Sequence, residues 1–320
     1  MEDVLTQIGV FGIVPVVRLD RPEDAVPLGR ALIAGGLPCA EITFRTEAAE
    51  ESIRRITADL PEMLVGAGTV LTVDQAKRAV AAGARFIVTP GFNPPVVQYC
   101  LENGIPITPG VSNPSDIDMA LGIGLKVLKF FPAEVLGGIE AIKAISAAYG
   151  MVKFIPTGGV NTANLNEYLS FSKVHAVGGS WMVKPDLIGA GNFAEITRIT
   201  REAVQTMLGF TLAHVGINTA DAEEAMAVAR RLCAIFNFAL KEGNSSNFAG
   251  TAFEIMKGQG PGTKGHIAIQ TNYIHRAIAY LERSGVAVDM STARESNGMM
   301  ISVYLKEEVA GFALHLLQKR

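Results

Sequence analysis

The chain has 320 residues, 49% of them hydrophobic and 18% charged, enough apolar material for about two folded domains and too much for a disordered segment. A formal net charge of −3 with no long basic run leaves no electrostatic footprint for nucleic acid or an anionic membrane, so small molecules are the expected partners. Cys39, Cys100 and Cys233 lack the paired spacing of a disulfide framework or a cysteine zinc site; with the acidic opening Met1-Glu2-Asp3 and no apolar run of membrane length, a soluble protein of the reducing cytoplasm is expected.

From Ile13 to Ser180, short apolar strands alternate with amphipathic stretches at roughly twenty to twenty-five residues, the rhythm of repeated βα units. The candidate strands are Ile13–Val17, Cys39–Phe44, Leu64–Ala67, Phe86–Thr89, Ile105–Thr108, Val127–Phe131, Lys153–Pro156 and His175–Val177. Eight parallel strands joined by crossover helices close into a (β/α)8 TIM barrel. Helix punctuation fits between them. Pro22–Ala34 opens on proline and stops at Gly35-Gly36, Thr72-Val73-Asp74-Gln75 reads as a capping box, and Asn113-Pro114 starts another helix. Phe193–Leu208 seals the domain.

After Gly209 the rhythm changes. Strands at 211–218, 235–240 and 251–257 surround a helix at 221–233, and a similar order recurs at 264–270, 273–284, 286–290, 299–305 and 311–317. This predicts a smaller α+β domain of two βαβββ modules over 209–320, behind the α/β barrel of 1–208.

Chemistry in such a barrel sits at the carboxyl ends of the strands. Those ends carry Arg18; Glu41, Thr43 and Arg45; Gly66-Ala67-Gly68-Thr69; Pro90-Gly91; Pro109-Gly110; Lys129; Thr157-Gly158-Gly159; and Gly178-Gly179-Ser180. Lys129 lies inside the apolar run Val127–Phe131, where a lysine either snorkels its head to water or serves as a desolvated Schiff-base nucleophile. Period two places Glu41, Thr43 and Arg45 on one strand face and Lys129 with Val127 and Phe131 on one face of another. Glu41 and Arg45 alone could be a strand-end ion pair, and each Gly-Gly alone a tight turn. Together they outline a pocket with an amine, a carboxylate, a guanidinium and, on adjacent strands seven and eight, a cradle for phosphate.

The motifs Glu41-Ile-Thr-Phe-Arg45-Thr46, Gly66-Ala-Gly-Thr69, Thr89-Pro-Gly91, Lys129-Phe-Phe-Pro-Ala-Glu134, Thr157-Gly-Gly159 and Gly178-Gly-Ser-Trp181 resemble, in order and spacing, the 2-keto-3-deoxy-6-phosphogluconate (KDPG) / 4-hydroxy-2-oxoglutarate (KHG) aldolase family over about residues 3–206. The resemblance implies a class I aldolase, a lyase that splits a 2-keto-4-hydroxy acid into pyruvate and an aldehyde and needs no cofactor. It implies that Lys129 forms the imine and Glu41 moves the protons. Arg45 and Thr69 would hold the carboxylate; Arg18, Gly158, Gly159, Gly179 and Ser180 the phosphate; Pro90 and Phe131 would wall the pocket. A homotrimer through the barrel is a further implication.

In the second domain, His214-Val-Gly-Ile217, Gly265-His-Ile-Ala-Ile269 and Gly311-Phe-Ala-Leu-His315 resemble the vicinal oxygen chelate superfamily, which includes glyoxalase I. This implies a divalent metal held by His214, Glu254, His266 and His315, with His315 where a glutamate is usual. The alternative is a duplicated sheet kept for assembly or regulation, its histidines ordinary strand residues. Two rival functions stand beside the aldolase: a metal-dependent glyoxalase-like enzyme, and a keto-acid or sugar-phosphate sensor without turnover.

Overall fold

The computed structural model describes residues 4–319, so the acidic opening Met1–Asp3 lies outside the described residues. The chain divides into two compact units, the first ending at Met207 and the second beginning at Leu208.

In the first unit the strands are β1 (Ile13–Val17), β2 (Cys39–Thr43), β3 (Leu64–Gly68), β4 (Ile87–Val88), β5 (Ile107–Thr108), β6 (Gly110–Val111), β7 (Val127–Phe130), β8 (Lys153–Pro156) and β9 (Val177–Gly179). They pair in parallel, in the orders β5-β4-β3-β2-β1-β9 and β6-β7-β8. The break between β5 and β6 falls at Pro109, which has no N–H for the ladder, although its carbonyl accepts from the Lys129 amide at 3.0 Å. Parallel bridges Phe154↔Val174 and Thr157↔Gly178 continue the pairing from β8 to β9. The result is a curled parallel sheet, an α/β barrel-like domain.

Parallel strands covered on both faces read as unbroken apolar runs, and all five residues of β1, β2 and β3 are buried. Side-chain caps start three of the intervening helices. Thr72 accepts from the Gln75 amide at 3.2 Å, Asn93 from Val96 at 3.3 Å and Asn113 from Asp116 at 3.1 Å. Pro22 opens a 3-10 turn, Pro22–Asp24, and the α-helix proper runs Ala25–Ala34. The strand expected at Phe86–Thr89 pairs only over Ile87–Val88, and the one expected at His175–Val177 runs Val177–Gly179.

The second unit contains β10 (Thr211–Ile217), β11 (Leu240–Glu242), β12 (Ser246–Ala249), β13 (Phe253–Met256), β14 (Gly265–Thr271), β15 (Val288–Ser296), β16 (Met299–Val309) and β17 (Phe312–Gln318). Helices Ala222–Phe236 and Ile274–Arg283 follow β10 and β14, so the order strand, helix, three strands occurs twice. One sheet results, β11-β12-β13-β10-β14-β17-β16-β15, with β10 and β14 antiparallel at its centre. The sequence places a strand at 235–240, but the helix extends to Phe236 and ends on Asn237 in the left-handed region at φ 54°. The strand missing from the sequence reading is β12. Ala225 and Ala229 of the first helix pack on Ile255 with Ile217 and Phe253 at the rim, so the alternate residues Gly216 and Glu254 point to the sheet's other face. Among the described residues no helix is long and apolar enough to cross a membrane.

Gly66 on β3 lies against Phe86, and a Cβ there would come within 2.3 Å of that buried ring. Gly66→Ala is expected to destabilise the first unit by about 1–3 kcal/mol through overpacking. Urea unfolding followed by circular dichroism checks this; an unchanged midpoint would contradict the packing.

Candidate active site

Lys129 is 4% exposed and Glu41 3% exposed, and the Lys129 Nζ stands 3.2 Å from Glu41 Oε1. β2 and β7 do not pair with each other, and the two side chains meet across the curl of the sheet. Gly68 on β3 makes room, since a Cβ there would lie 2.0 Å from Glu41 Oε1. The Phe131 ring sits 5.3 Å from the ammonium, within cation–π range. Two charges taken out of water this way cost several kcal/mol each in desolvation, which their mutual attraction offsets only with good geometry.

Lys129 and Glu41 line a small cavity of about 10 Å³, together with Phe86, Thr108 and Thr157. A second, larger cavity of about 380 Å³ is lined by Arg18, Thr43, Arg45, Phe131, Gly158, Gly159, Gly179 and Ser180. Thr157 borders both. The sequence-derived candidates in the cavities thus fall into a buried ion pair and a larger chamber lined by two arginines and the glycine turns.

Within the chamber, Arg45 Nε donates to Thr69 Oγ1 at 3.2 Å. Thr69 itself adopts φ 54°, a left-handed conformation that costs a β-branched residue on the order of 1–3 kcal/mol. Thr69 lines neither cavity, so its hydroxyl reaches the chamber through Arg45. Arg18 lines the chamber but is held by Asp20 at 2.9 Å. Pro90 is not a wall of either cavity; its carbonyl packs against Gly110, where a Cβ would come within 2.2 Å.

The turn Gly158-Gly159 has φ values of 96° and 87°, a conformation glycine alone adopts readily. Asn161 and Asn164 Nδ2 both donate to the Gly159 carbonyl, at 3.1 and 3.3 Å. Glu134, in the motif after Lys129 but given no role by the sequence, supports this turn. Its amide donates to the Gly158 carbonyl at 3.1 Å, and a Cβ on Gly159 would strike its Cγ. Tyr168 donates to Glu134 Oε1; burial first, then this bond and the nearby carboxylates, hold the Tyr168 hydroxyl well above its ordinary pKa. No sequence signal marks Tyr168, which stands in the helix Leu165–Leu169.

The second unit brings three of its four candidate ligands, His214, His266 and His315, into one cluster, with Glu254 against two of them. Glu254 Oε2 lies 3.0 Å from His214 Nε2 and 3.2 Å from His266 Nε2, and ligand atoms of His214, His266 and His315 all lie within 4.8 Å of one another. Gly216 admits the His266 ring, since a Cβ there would come within 2.1 Å of it. Burial pushes the Glu254 carboxyl up, but hydrogen bonds from His214, His266 and Ser246 outweigh it and hold the group below the usual carboxylate range. Burial, then the His266 and His214 charges, push His315 down to about 3. His315 is 7% exposed, yet neither ring nitrogen has a hydrogen-bond partner.

The family model described as "Aldolase: KDPG and KHG aldolase" matches residues 4–199. A 2-dehydro-3-deoxy-phosphogluconate aldolase of Treponema pallidum is 51% identical over 193 residues, 60% of this chain and 92% of its own. A KHG/KDPG aldolase of Escherichia coli is 44% identical over 60% of this chain and 91% of its own. The crystal structure of a KDPG aldolase from Legionella pneumophila, with pyruvate captured as a covalent carbinolamine intermediate, shares 41% identity at a TM-score of 0.59, covering 62% of this chain and 98% of that one. A Zymomonas mobilis 2-keto-3-deoxy-6-phosphogluconate aldolase with 3-phosphoglycerate aligns at a TM-score of 0.60 and 36% identity, over 63% and 95% of the two chains.

Removing one member of the buried pair leaves the other uncompensated. Lys129→Met alone is expected to lose about 3–5 kcal/mol of stability, and Lys129→Met with Glu41→Leu to regain most of it. Denaturant melts of both variants check this; a double variant no more stable than the single would show that the pair is not strained by burial.

Proposed function

Since the chain belongs to the KDPG and KHG aldolase family and is an aldehyde-lyase, we propose that its barrel unit cleaves 2-dehydro-3-deoxy-6-phosphogluconate to pyruvate and glyceraldehyde 3-phosphate through an imine on Lys129, with 4-hydroxy-2-oxoglutarate, giving pyruvate and glyoxylate, as a second substrate. The observation that carries this reading is the buried 3.2 Å contact between Lys129 Nζ and Glu41 Oε1.

Lys129 passes its ammonium proton to Glu41 and attacks the C2 ketone as the neutral amine; that proton leaves with the former ketone oxygen as water, and the protonated imine that remains acts as an electron sink. Glu41 accepts the proton of the C4 hydroxyl while the C3–C4 bond breaks, releasing the aldehyde and leaving an enamine. Glu41 then returns the proton to C3, and water hydrolyses the imine to free pyruvate and Lys129. Its position against the ammonium suits Glu41 to both transfers. Arg45, oriented by Thr69, presents a planar fork to the substrate carboxylate. The Gly158-Gly159 turn and Gly179-Ser180 line the chamber where a distal phosphate, or the second carboxylate of the five-carbon substrate, is held. Arg18 contributes charge there while shared with Asp20.

A second reading concerns the second unit and rests on His315, a buried imidazole without a hydrogen-bond partner beside two others and a carboxylate. Such a donor set fits a divalent ion such as zinc, nickel or iron held by His214, His266, His315 and Glu254. Bound there, the ion would supply Lewis-acid polarisation of an oxygen ligand. The barrel chemistry does not call on it.

Borohydride reduction with pyruvate is expected to add a pyruvyl group to the peptide containing Lys129, read by mass spectrometry, and to leave Lys129→Ala unmodified. An adduct that persists in the variant would overturn the assignment. Pyruvate release is expected to survive EDTA, whereas metal analysis of untagged protein is expected to find about one ion per chain, lost in a His266→Ala, His315→Ala variant. A chain that takes up no ion after supplementation would remove the second reading.

A further inference from the structure

The Gly158-Gly159 turn is tied down by its carbonyls. The Gly158 carbonyl accepts from the Glu134 amide at 3.1 Å, and the Gly159 carbonyl accepts from Asn161 Nδ2 at 3.1 Å and Asn164 Nδ2 at 3.3 Å. The peptide bonds that follow are trans, so each N–H points opposite to the carbonyl of its own plane. The Gly159 N–H is therefore aimed away from Glu134, and the Val160 N–H away from the two asparagines. Gly159 and Val160 both line the larger cavity, and neither N–H donates to any group among the described residues. The backing is itself held. The Glu134 side chain crosses Gly159, where a Cβ would lie 2.2 Å from its Cγ, and its Oε1 accepts from the Tyr168 hydroxyl. Tyr168 is 1% exposed, and its backbone amide donates to the Asn164 carbonyl at 3.2 Å. Gly138, at φ 62°, keeps space beside this bond, since a Cβ there would lie 3.2 Å from the Tyr168 hydroxyl. Tyr168 and Glu134 line neither cavity, so they act on the chamber only through the turn.

We propose that Tyr168 and Glu134 are positioning residues for the distal end of the substrate: they hold the backbone so that the Gly159 and Val160 N–H groups meet a terminal phosphate, and so set the preference for a substrate ending in phosphate over one ending in carboxylate. The inference rests on the proposed barrel function and names the part of the chain that chooses between its two substrates. A phosphate ester presents three strong acceptor oxygens and a carboxylate two, so the phosphate makes fuller use of two aligned backbone donors. It also stands farther from C2 along the substrate than the second carboxylate of the five-carbon acid does, so its contacts fall on the wall of the chamber rather than beside Lys129. Tyr168 serves the anion in a second way. Its hydroxyl keeps one oxygen of Glu134 engaged, and a carboxylate held there does not compete with the substrate for the same N–H groups.

The test compares steady-state cleavage of both substrates by the full chain with exchange of the pyruvate methyl protons in deuterated water, which needs the imine but no distal anion. Tyr168→Phe is expected to raise KM for 2-dehydro-3-deoxy-6-phosphogluconate about tenfold at nearly unchanged kcat, and KM for 4-hydroxy-2-oxoglutarate by less than about threefold. Pyruvate exchange is expected to stay at the parent rate. Glu134→Ala is expected to reproduce this pattern, whereas Glu134→Gln, which keeps an acceptor for Tyr168, does not raise KM. Joining Tyr168→Phe to Glu134→Ala is expected to add no further loss, because both remove one hydrogen bond. If Tyr168→Phe does not fold, Asn161→Ala, at an exposed position, is expected to shift KM in the same substrate-selective way. Equal rises in KM for both substrates, an unchanged KM, or exchange slowed in step with cleavage would overturn the inference while leaving the imine chemistry in place. A parent chain that exchanges pyruvate protons yet cleaves neither substrate would overturn the proposed function and the inference with it.

Discussion

The burial of an ammonium against a carboxylate at the heart of a curled parallel sheet is the constraint that the first unit is built to satisfy. At 4% and 3% exposure, Lys129 and Glu41 keep almost none of their hydration and must be compensated by each other and by the Phe131 ring. Ion pairs of this kind stabilise folds poorly against apolar replacements. The imine chemistry proposed above would use such a pair, because imine formation followed by carbon–carbon cleavage needs a desolvated amine with a proton acceptor beside it.

Other local costs are arranged around that pair. Gly68 gives up its side chain so that Glu41 can reach across, and Thr69, the next residue, takes a left-handed conformation that brings its hydroxyl to Arg45. Strain concentrated in a β-branched residue next to a reactive pair is typical of positions fixed by function rather than by folding. On the opposite rim, Tyr168, Glu134, Asn161 and Asn164 hold the Gly158-Gly159 turn, so the chamber's backbone donors are set before any ligand arrives. Backbone ordered in this way would meet the proposed distal anion without a loss of ordering entropy at each encounter.

Much of this architecture is legible in the sequence for a simple reason. Parallel strands buried on both faces leave continuous apolar runs, and the polar or glycine residues that end them mark the functional rim. β1 and β8 have the bounds their sequence predicts, and Lys129 and Glu41 emerge from strand-end position and period two. What escapes is set by neighbours distant in sequence. Pro109 splits one strand into β5 and β6, and Ser246-Asn247-Phe248-Ala249, with two polar residues in four, gives no strand pattern although pairing on both sides makes it β12. Pro90, which the resemblance implies as a pocket wall, lines neither cavity, and its carbonyl packs against Gly110. Tyr168 looks like an ordinary residue of a short helix until the fold sets Glu134 beside it.

The proposed barrel chemistry depends on few assumptions: one amine, one carboxylate and the proton that would pass between substrate and Glu41. Exchange of the pyruvate methyl protons in deuterated water, followed by proton NMR, reports on that transfer without requiring the whole substrate. The wild-type chain should exchange them, Lys129→Ala should not, and Glu41→Gln should still form the reducible imine while exchanging about 10²–10⁴ times more slowly. Exchange by Glu41→Gln at the wild-type rate would contradict the account.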